Sequence, residues 1–167
     1  MEPIEPAVDH VRGAGDHLIV EYGDYECPYS RMAYREIARL EKRLHGGFRF
    51  AFRHFPLTDI HPHALAAAAA AEAAAIQGRF WEMHDVMYHR QEALESGDLS
   101  RYAAEIGIDV TRFDRDRASN RVLARVRRDV DSGNASGEVF GTPTLYIDGT
   151  VYRGGYDLAT LLEALAA

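Results

Sequence analysis

The sequence predicts an α/β fold in which a β-α-β unit comes first, a helical block follows, and a β-β-α unit closes the chain. Two observations predict this order. Short β-prone apolar runs occur near both ends, and a long stretch with helical patterning fills the middle. The length of 167 residues, 47% of them hydrophobic and 27% charged, suits one chain of ordinary size with a substantial core.

The first unit is predicted from three segments, which follow an irregular N-terminal stretch. Residues 1–16 are irregular, with a short edge strand around residues 8–11. Residues 18–22 are a continuous β-prone run, as expected for a buried central strand. Pro28 suits the first turn of the helix that follows. Residues 48–53 then alternate aromatic and other side chains at the period of a strand. A β-α-β unit of this kind predicts two parallel strands.

The middle of the chain, residues 61–134, has a helical pattern. Residues 66–71 are an unbroken run of alanine, the strongest helix former. Asp98 and Ser119 are predicted to be N-caps of later helices. The arginines of residues 125–128 are expected on a solvated helix face.

The last unit is predicted from its turn and its cap. Asp148 and Gly149 lie between β-prone residues 144–147 and 151–152, which indicates a hairpin. Asp157 can cap a final helix with a leucine stripe.

Charge and composition exclude several classes of function. The net charge of -7 argues against nucleic acid and anionic membrane surfaces as partners. The first residues lack the basic and apolar regions of a secretory signal, so we expect a cytoplasmic protein. One cysteine allows no internal disulfide and no multi-cysteine metal site. His54, His61 and His63 lack a suitably spaced fourth ligand, so no metal site is expected.

Cys27 follows a predicted strand and precedes Pro28, which places it at or beside the start of a helix. Free backbone N–H groups and the helix dipole there favour a thiolate, and the pKa of such cysteines falls from about 8.5 to roughly 3.5–7.5. Ser30 is close enough in sequence to reach the sulfur. The alternative is a buried, inert cysteine, which is the commoner fate of a lone cysteine.

Residues 20–30 resemble the active-site segment of bacterial DsbA-like thioredoxin-fold proteins, which normally read Cys-Pro-Tyr-Cys or Cys-Pro-His-Cys. The resemblance implies a thioredoxin fold with an inserted helical domain between the second and third core strands. It divides the chain into a thioredoxin-like domain, residues 1–60 and 135–167, and an insert, residues 61–134. Three further segments resemble the same family: residues 52–57, 80–85 and 141–145.

The resemblance also implies roles for individual residues. Cys27 corresponds to the attacking cysteine, and Pro143 to a cis-proline preceded by Thr142, whose backbone meets substrate. Glu21 corresponds to a partly buried acid that assists proton transfer. The alternatives are a trans turn proline and an exposed strand-end carboxylate. Substrate contacts are expected from Pro28 and Tyr29 as well.

This sequence departs from the family at Ser30, where the second cysteine would stand. Serine cannot resolve a mixed disulfide, so a DsbA-type oxidase cycle within this chain is excluded. We expect a thiol-disulfide oxidoreductase with one working cysteine. Its partners would be protein or small thiols and disulfides, with glutathione as a co-substrate and no tightly bound cofactor.

Two other functions stay open. One is a glutathione transferase or isomerase resembling the kappa class, which would activate glutathione at a serine. The other is a redox-inactive binding module that uses the groove beside Thr142 and Pro143. The oligomeric state is not predicted.

Overall fold

The computed structural model describes residues 1–166, which form one five-stranded sheet with helices on both faces. The strands lie in the order β1-β3-β2-β4-β5. The strands are β1 (His10–Gly13), β2 (Leu18–Gly23), β3 (Arg49–His54), β4 (Thr144–Ile147) and β5 (Thr150–Tyr152). The helices are α1 (Pro28–Arg43), α2 (Ala64–Ile76), α3 (Phe80–His89), α4 (Ser96–Glu105), α5 (Val110–Arg117), α6 (Asn120–Ser136) and α7 (Leu158–Leu165).

The predicted parallel pair and the predicted hairpin are confirmed, and the structure adds the pairing of β2 with β4. Strand β2 is parallel to β3 and antiparallel to β4, and β4 forms a hairpin with β5. The edge strand β1 begins later than predicted, at His10. The reason is a turn in which the N–H groups of Val8 and Asp9 both donate to the Glu5 carbonyl at 2.8 Å, so these residues cannot pair with β3.

Five helices, α2 to α6, lie between β3 and β4. Ser119 caps α6, as predicted, by accepting a hydrogen bond from Val122 N at 3.3 Å. The prediction that Asp98 is an N-cap was wrong. Glu95 is the cap, and Asp98 completes a capping box three residues later. The division of the chain into a thioredoxin-like domain and an insert of residues 61–134 stays a prediction. Helix α6 continues two residues past the predicted end of the insert, to Ser136.

Helix α5 was not predicted because its sequence carries little apolar periodicity. It is short and strongly charged, and Phe113 is its one buried residue. Local capping starts it, since the Asp109 side chain accepts a hydrogen bond from Arg112 N at 2.9 Å.

The sheet is covered on both faces, which explains the continuous apolar run of β2. Ile19 and Phe50 point into the larger core, with α1, α3 and α7, and Val20 and Ala51 into the smaller one. Within residues 1–166, no helix combines the length and apolarity needed to cross a membrane.

The expectation of a solvated arginine face on α6 was wrong for two of its residues. Arg125 pairs with Asp129, and Arg128 lies 3.6 Å from Asp9. Both are partly buried, since the N-terminal segment folds against α6 and brings carboxylates to them.

Candidate functional site

Cys27 lies at the start of α1, where the sequence predicted it. It is the N-cap residue, with extended backbone angles, and Pro28 follows in the first turn. Its side chain makes no capping hydrogen bond. Instead, the Cys27 thiol donates to the Thr142 carbonyl at 3.3 Å, and the residue is 3% exposed. The sulfur therefore faces the loop before β4.

That loop carries the second part of the site. The Thr142–Pro143 peptide bond is cis. The Thr144 hydroxyl donates to the Gly141 carbonyl at 2.7 Å and fixes the loop locally. The Thr142 hydroxyl oxygen is buried and has no hydrogen-bond partner within residues 1–166. The fold thus brings together two predicted site segments that lie 115 residues apart in sequence.

Ser30 lies in the first turns of α1 and is fully buried. Its hydroxyl oxygen accepts a hydrogen bond from the Asp24 backbone N–H at 3.2 Å. In the described part of the chain, no hydrogen bond joins Ser30 to the Cys27 sulfur. The serine therefore supports the turn before the cysteine.

Glu21 is a buried carboxyl group behind that turn. It is 1% exposed, so the alternative of an exposed strand-end carboxylate was wrong. Neither carboxylate oxygen has a hydrogen-bond partner among the described residues. Burial raises the pKa of Glu21 to about 8, against an opposing effect of the Arg12 charge. A Cβ atom on Gly23 would lie 2.8 Å from Glu21 Oε1, so the carboxyl group packs under the end of β2.

Two carboxylates that precede the cysteine in sequence are hydrogen-bonded to histidines. Asp24 Oδ2 accepts from His61 Nδ1 at 2.7 Å, and Glu26 Oε1 lies 2.8 Å from His63 Nδ1. Asp24 also accepts from the Leu57 N–H at 2.9 Å. These contacts connect the turn before Cys27 to the segment between β3 and α2. Both histidines are therefore hydrogen-bonded to carboxylates.

A group with metal-ligand spacing lies elsewhere, among His54, Glu72 and Asp129. The Arg125 guanidinium is bonded to Asp129. A cation in this group would face that fixed positive charge, so the donor set does not favour a metal ion.

Apolar side chains around the cysteine are exposed. Tyr29 is 60% exposed, Met32 51% and Phe140 83%. Tyr156 borders two clefts, of about 380 and 490 Å³, the first of which reaches Pro143. Burial raises the pKa of Tyr156, and the charges of Cys27 and Tyr29 add to the effect. Sequence reasoning singled out Tyr29 alone. The one signal for Phe140 was an aromatic residue directly before Gly141.

Comparisons with known proteins agree with this geometry. A sequence profile of the family described as thioredoxin matches residues 8–167. A thioredoxin-like oxidoreductase from Silicibacter pomeroyi is 27% identical, with a TM-score of 0.84 over 97% of this chain and 92% of that one. The thiol-disulfide exchange protein alpha-DsbA2 from Wolbachia pipientis is 20% identical, with a TM-score of 0.83 over 96% of this chain and 87% of that one. At that identity, the second match shows the fold alone.

A curated relative shares more sequence but is much longer. The Na(+)/H(+) antiporter NhaA 3 of Salinispora tropica is 42% identical over 167 residues. The match covers 99% of this chain and 25% of that protein. The chain therefore spans about a quarter of the length of this relative.

Proposed function

Since the chain belongs to the thioredoxin family, we propose that it carries out thiol-disulfide exchange through the single sulfur of Cys27. The predicted thioredoxin fold and the resemblance to DsbA-like proteins are confirmed, and this fold supports thiol-disulfide exchange in general. The observation that carries the proposal is the contact of the Cys27 sulfur with the loop of Thr142 and the cis Pro143.

The exchange needs one thiol from the chain and one from outside. The Cys27 thiolate attacks one sulfur of a disulfide or of a glutathionylated protein. A new S–S bond forms to Cys27 as the old one breaks, and the leaving sulfur takes the electron pair and then a proton. A second thiol, such as glutathione, then attacks the mixed disulfide and releases Cys27. No net oxidation of the chain occurs, and Ser30 takes no part in the sulfur chemistry.

The proton of Cys27 is bonded to one carbonyl, and a buried carboxyl group lies behind the turn that precedes the cysteine. The Thr142 carbonyl holds it in the free chain. An extended substrate segment that pairs with the same carbonyl would compete for that bond and free the thiol. Glu21, with a pKa of about 8, can take up or give back a proton near neutral pH.

The same geometry weighs against the transferase alternative. A kappa-class-like transferase or isomerase would need the Ser30 hydroxyl to meet glutathione. Ser30 is fully buried, and its oxygen already accepts the Asp24 N–H. The binding-module alternative is favoured by one observation, the exposed side chains of Tyr29, Met32 and Phe140 around the site.

The deciding experiment follows Cys27 by mass spectrometry. We expect the folded chain to gain one glutathione from glutathione disulfide and to lose it again to free glutathione. Cys27→Ser should abolish the adduct, and Ser30→Ala should retain it, whereas a transferase would lose its activity on Ser30→Ala. An adduct that forms only after denaturation would contradict the proposal and leave a binding module.

A further inference from the structure

Helix α1 carries a basic stripe that the sulfur chemistry does not use. Arg31, Arg35, Arg39 and Lys42 follow one another at intervals of three or four residues, which places them on one helix face. The whole chain has a net charge of -7. Helix α1 is the reverse: its basic residues are these four and Arg43, and its acidic residues are Glu36 and Glu41.

The stripe borders a cleft of about 640 Å³ between α1 and α3. Arg35, Arg39 and Lys42 are exposed on its α1 side. Within residues 1–166, Arg35 and Lys42 form no ion pair, whereas Arg39 forms an ion pair with Glu36 at 2.9 Å. Two of these three cations are therefore free for a partner from outside.

The acidic residues of the cleft do not cancel this charge. Glu41 and Asp85 both face Arg12, at 2.7 and 3.4 Å. Arg12 itself is anchored over the Trp81 ring, 4.4 Å from its centroid. One arginine facing two carboxylates leaves a charge of -1, and the three cations on the α1 side outweigh it, so the lining of the cleft stays positive.

One end of the cleft lies against the turn that holds Cys27. His89 lines the cleft, and its carbonyl accepts a hydrogen bond from Arg31 at 3.3 Å. Two residues further on, Gln91 donates to the Cys27 carbonyl at 2.9 Å. The cleft thus ends against the backbone of the turn that carries Cys27, and a partner lying in it would reach the sulfur, which faces Thr142, by crossing the start of α1.

The helix sets the distance between sulfur and cations. With a rise of about 1.5 Å per residue, Arg35 lies roughly 12 Å and Lys42 roughly 22 Å along the axis from Cys27. An extended peptide covers about 3.3 Å per residue. The two cations are thus about four to seven peptide residues from the sulfur.

From this juxtaposition we propose that the substrate of Cys27 is a protein or peptide with an acidic segment about four to seven residues from its reacting cysteine, seated on Arg35, Arg39 and Lys42. The inference rests on the proposed function and names its substrate class. Charge complementarity selects the acidic peptide, and the requirement for a reacting sulfur argues against a nucleic acid in the same cleft.

The test uses peptides whose cysteine is activated as a disulfide with thiopyridine. Cys27 attacks the peptide sulfur, a Cys27–peptide disulfide forms, and the thiopyridine bond breaks to release pyridinethione, which is measured optically. One peptide carries three glutamates at the stated spacing, and its control carries glutamines. We expect the acidic peptide to react at least about tenfold faster at low ionic strength, with the advantage shrinking as salt is added.

Two charge-reversal variants test whether the cations of α1 cause the faster reaction of the acidic peptide. The triple variant Arg35→Glu, Arg39→Glu, Lys42→Glu should lose the acidic advantage. A matched triple variant, Arg112→Glu, Arg115→Glu, Arg121→Glu, makes the same change in net charge on α5 and α6 and should keep it. An advantage that is absent in the original chain, or lost equally in both variants, overturns the inference.

The neutral peptide separates the two proposals. If it reacts with Cys27 while the acidic one has no advantage, the substrate class is wrong and the proposed exchange stands. If neither peptide reacts with the folded chain, the proposed exchange fails. Binding can then still be measured without the exchange reaction. The probe is a labelled acidic peptide in which serine replaces cysteine, and it is mixed with the Cys27→Ser chain and with the charge-reversal variants of that chain. The fluorescence anisotropy of the peptide then decides whether the cleft binds acidic peptides.

Discussion

Glu21 and Glu72 are both buried carboxyl groups against the central strands, yet their surroundings differ. Glu21, near Cys27, has no hydrogen-bond partner for either oxygen in the described chain. Glu72, in α2, lies 2.9 Å from His10 Nε2 and 2.8 Å from His54 Nε2. Burial raises the pKa of Glu21 to about 8. Burial also acts to raise the pKa of Glu72, but the hydrogen bonds and charges of His10 and His54 lower it overall.

The difference extends to the two regions. Around Glu72, buried charges are paired: Arg53 holds Asp9 with two hydrogen bonds of 3.0 Å and also donates to Tyr22 and Ser132. Around Cys27, the Glu21 carboxyl and the Thr142 hydroxyl have no hydrogen-bond partner among residues 1–166. Native proteins seldom leave such groups unpaired, and perturbed carboxyl groups cluster at working sites. The comparison therefore links the paired charges around Glu72 to stability and supports the proposed exchange at Cys27.

The largest expected effect is the pH dependence that Glu21 imposes on stability. Its pKa is about 8 in the folded chain against an ordinary 4.5. The folded state therefore holds this proton more tightly, and the free energy of unfolding should fall as pH rises from 4.5 to 8. The full fall is at most about 5 kcal/mol, since one pKa unit is worth about 1.4 kcal/mol.

Urea unfolding of the original chain and Glu21→Gln across this range measures the effect. The variant should lack the fall, so the difference between the two chains should grow towards pH 8. Parallel pH curves for the two chains would mean that Glu21 is hydrated or paired in solution. The contrast with Glu72 would then disappear.

The next effect concerns the paired region. Arg53→Met removes both hydrogen bonds from Arg53 to the buried Asp9 and leaves Arg128 as its nearest cation, at 3.6 Å. We expect a loss of about 3–5 kcal/mol in the free energy of unfolding. The double variant Arg53→Met, Asp9→Leu should recover most of the loss because no charge is left unpaired. Arg39→Met, on an exposed arginine, should stay within about 0.5 kcal/mol. Equal losses in the single and double variants would show that packing, not charge pairing, dominates there.

The smallest effect probes packing beside that network. A Cβ atom on Gly133 of α6 would lie 2.9 Å from the Phe55 ring and 3.2 Å from the Tyr22 ring. Gly133→Ala should therefore destabilise the chain by about 1–3 kcal/mol. Gly97→Ala, in α4, meets no atom within 4 Å and should stabilise by up to about 1 kcal/mol. Thermal unfolding should shift in opposite directions, and shifts of the same sign would contradict this packing.

Local signals predicted most of the fold. The β-prone run at residues 18–22, the turn at Asp148 and Gly149, and the caps Ser119 and Asp157 all act within a few residues, and each lies where expected. Helix α5 was missed because one buried residue gives no periodic pattern. Asp98 was placed wrongly because an aspartate can serve either as an N-cap or as the third residue of a capping box.

The candidate site was predicted less completely. The motif at residues 27–30 indicated Cys27. The family resemblance indicated Pro143. Sequence could not predict that Gln91 would bond to the Cys27 carbonyl or that His61 would bond to Asp24. These contacts join segments more than thirty residues apart, and no local preference encodes them.

The sequence by itself determined the order of the elements, the start of a helix at Cys27 and the absence of a second thiol, because these depend on neighbouring residues and on composition. Tertiary structure alone decided that the sulfur faces Thr142, that Glu21 is buried with no partner in the described part of the chain, and that the arginines of α1 border a cleft. The physical reason is that burial, pairing and electrostatic environment arise from contacts between distant segments, which exist only once the sheet and its helices have packed.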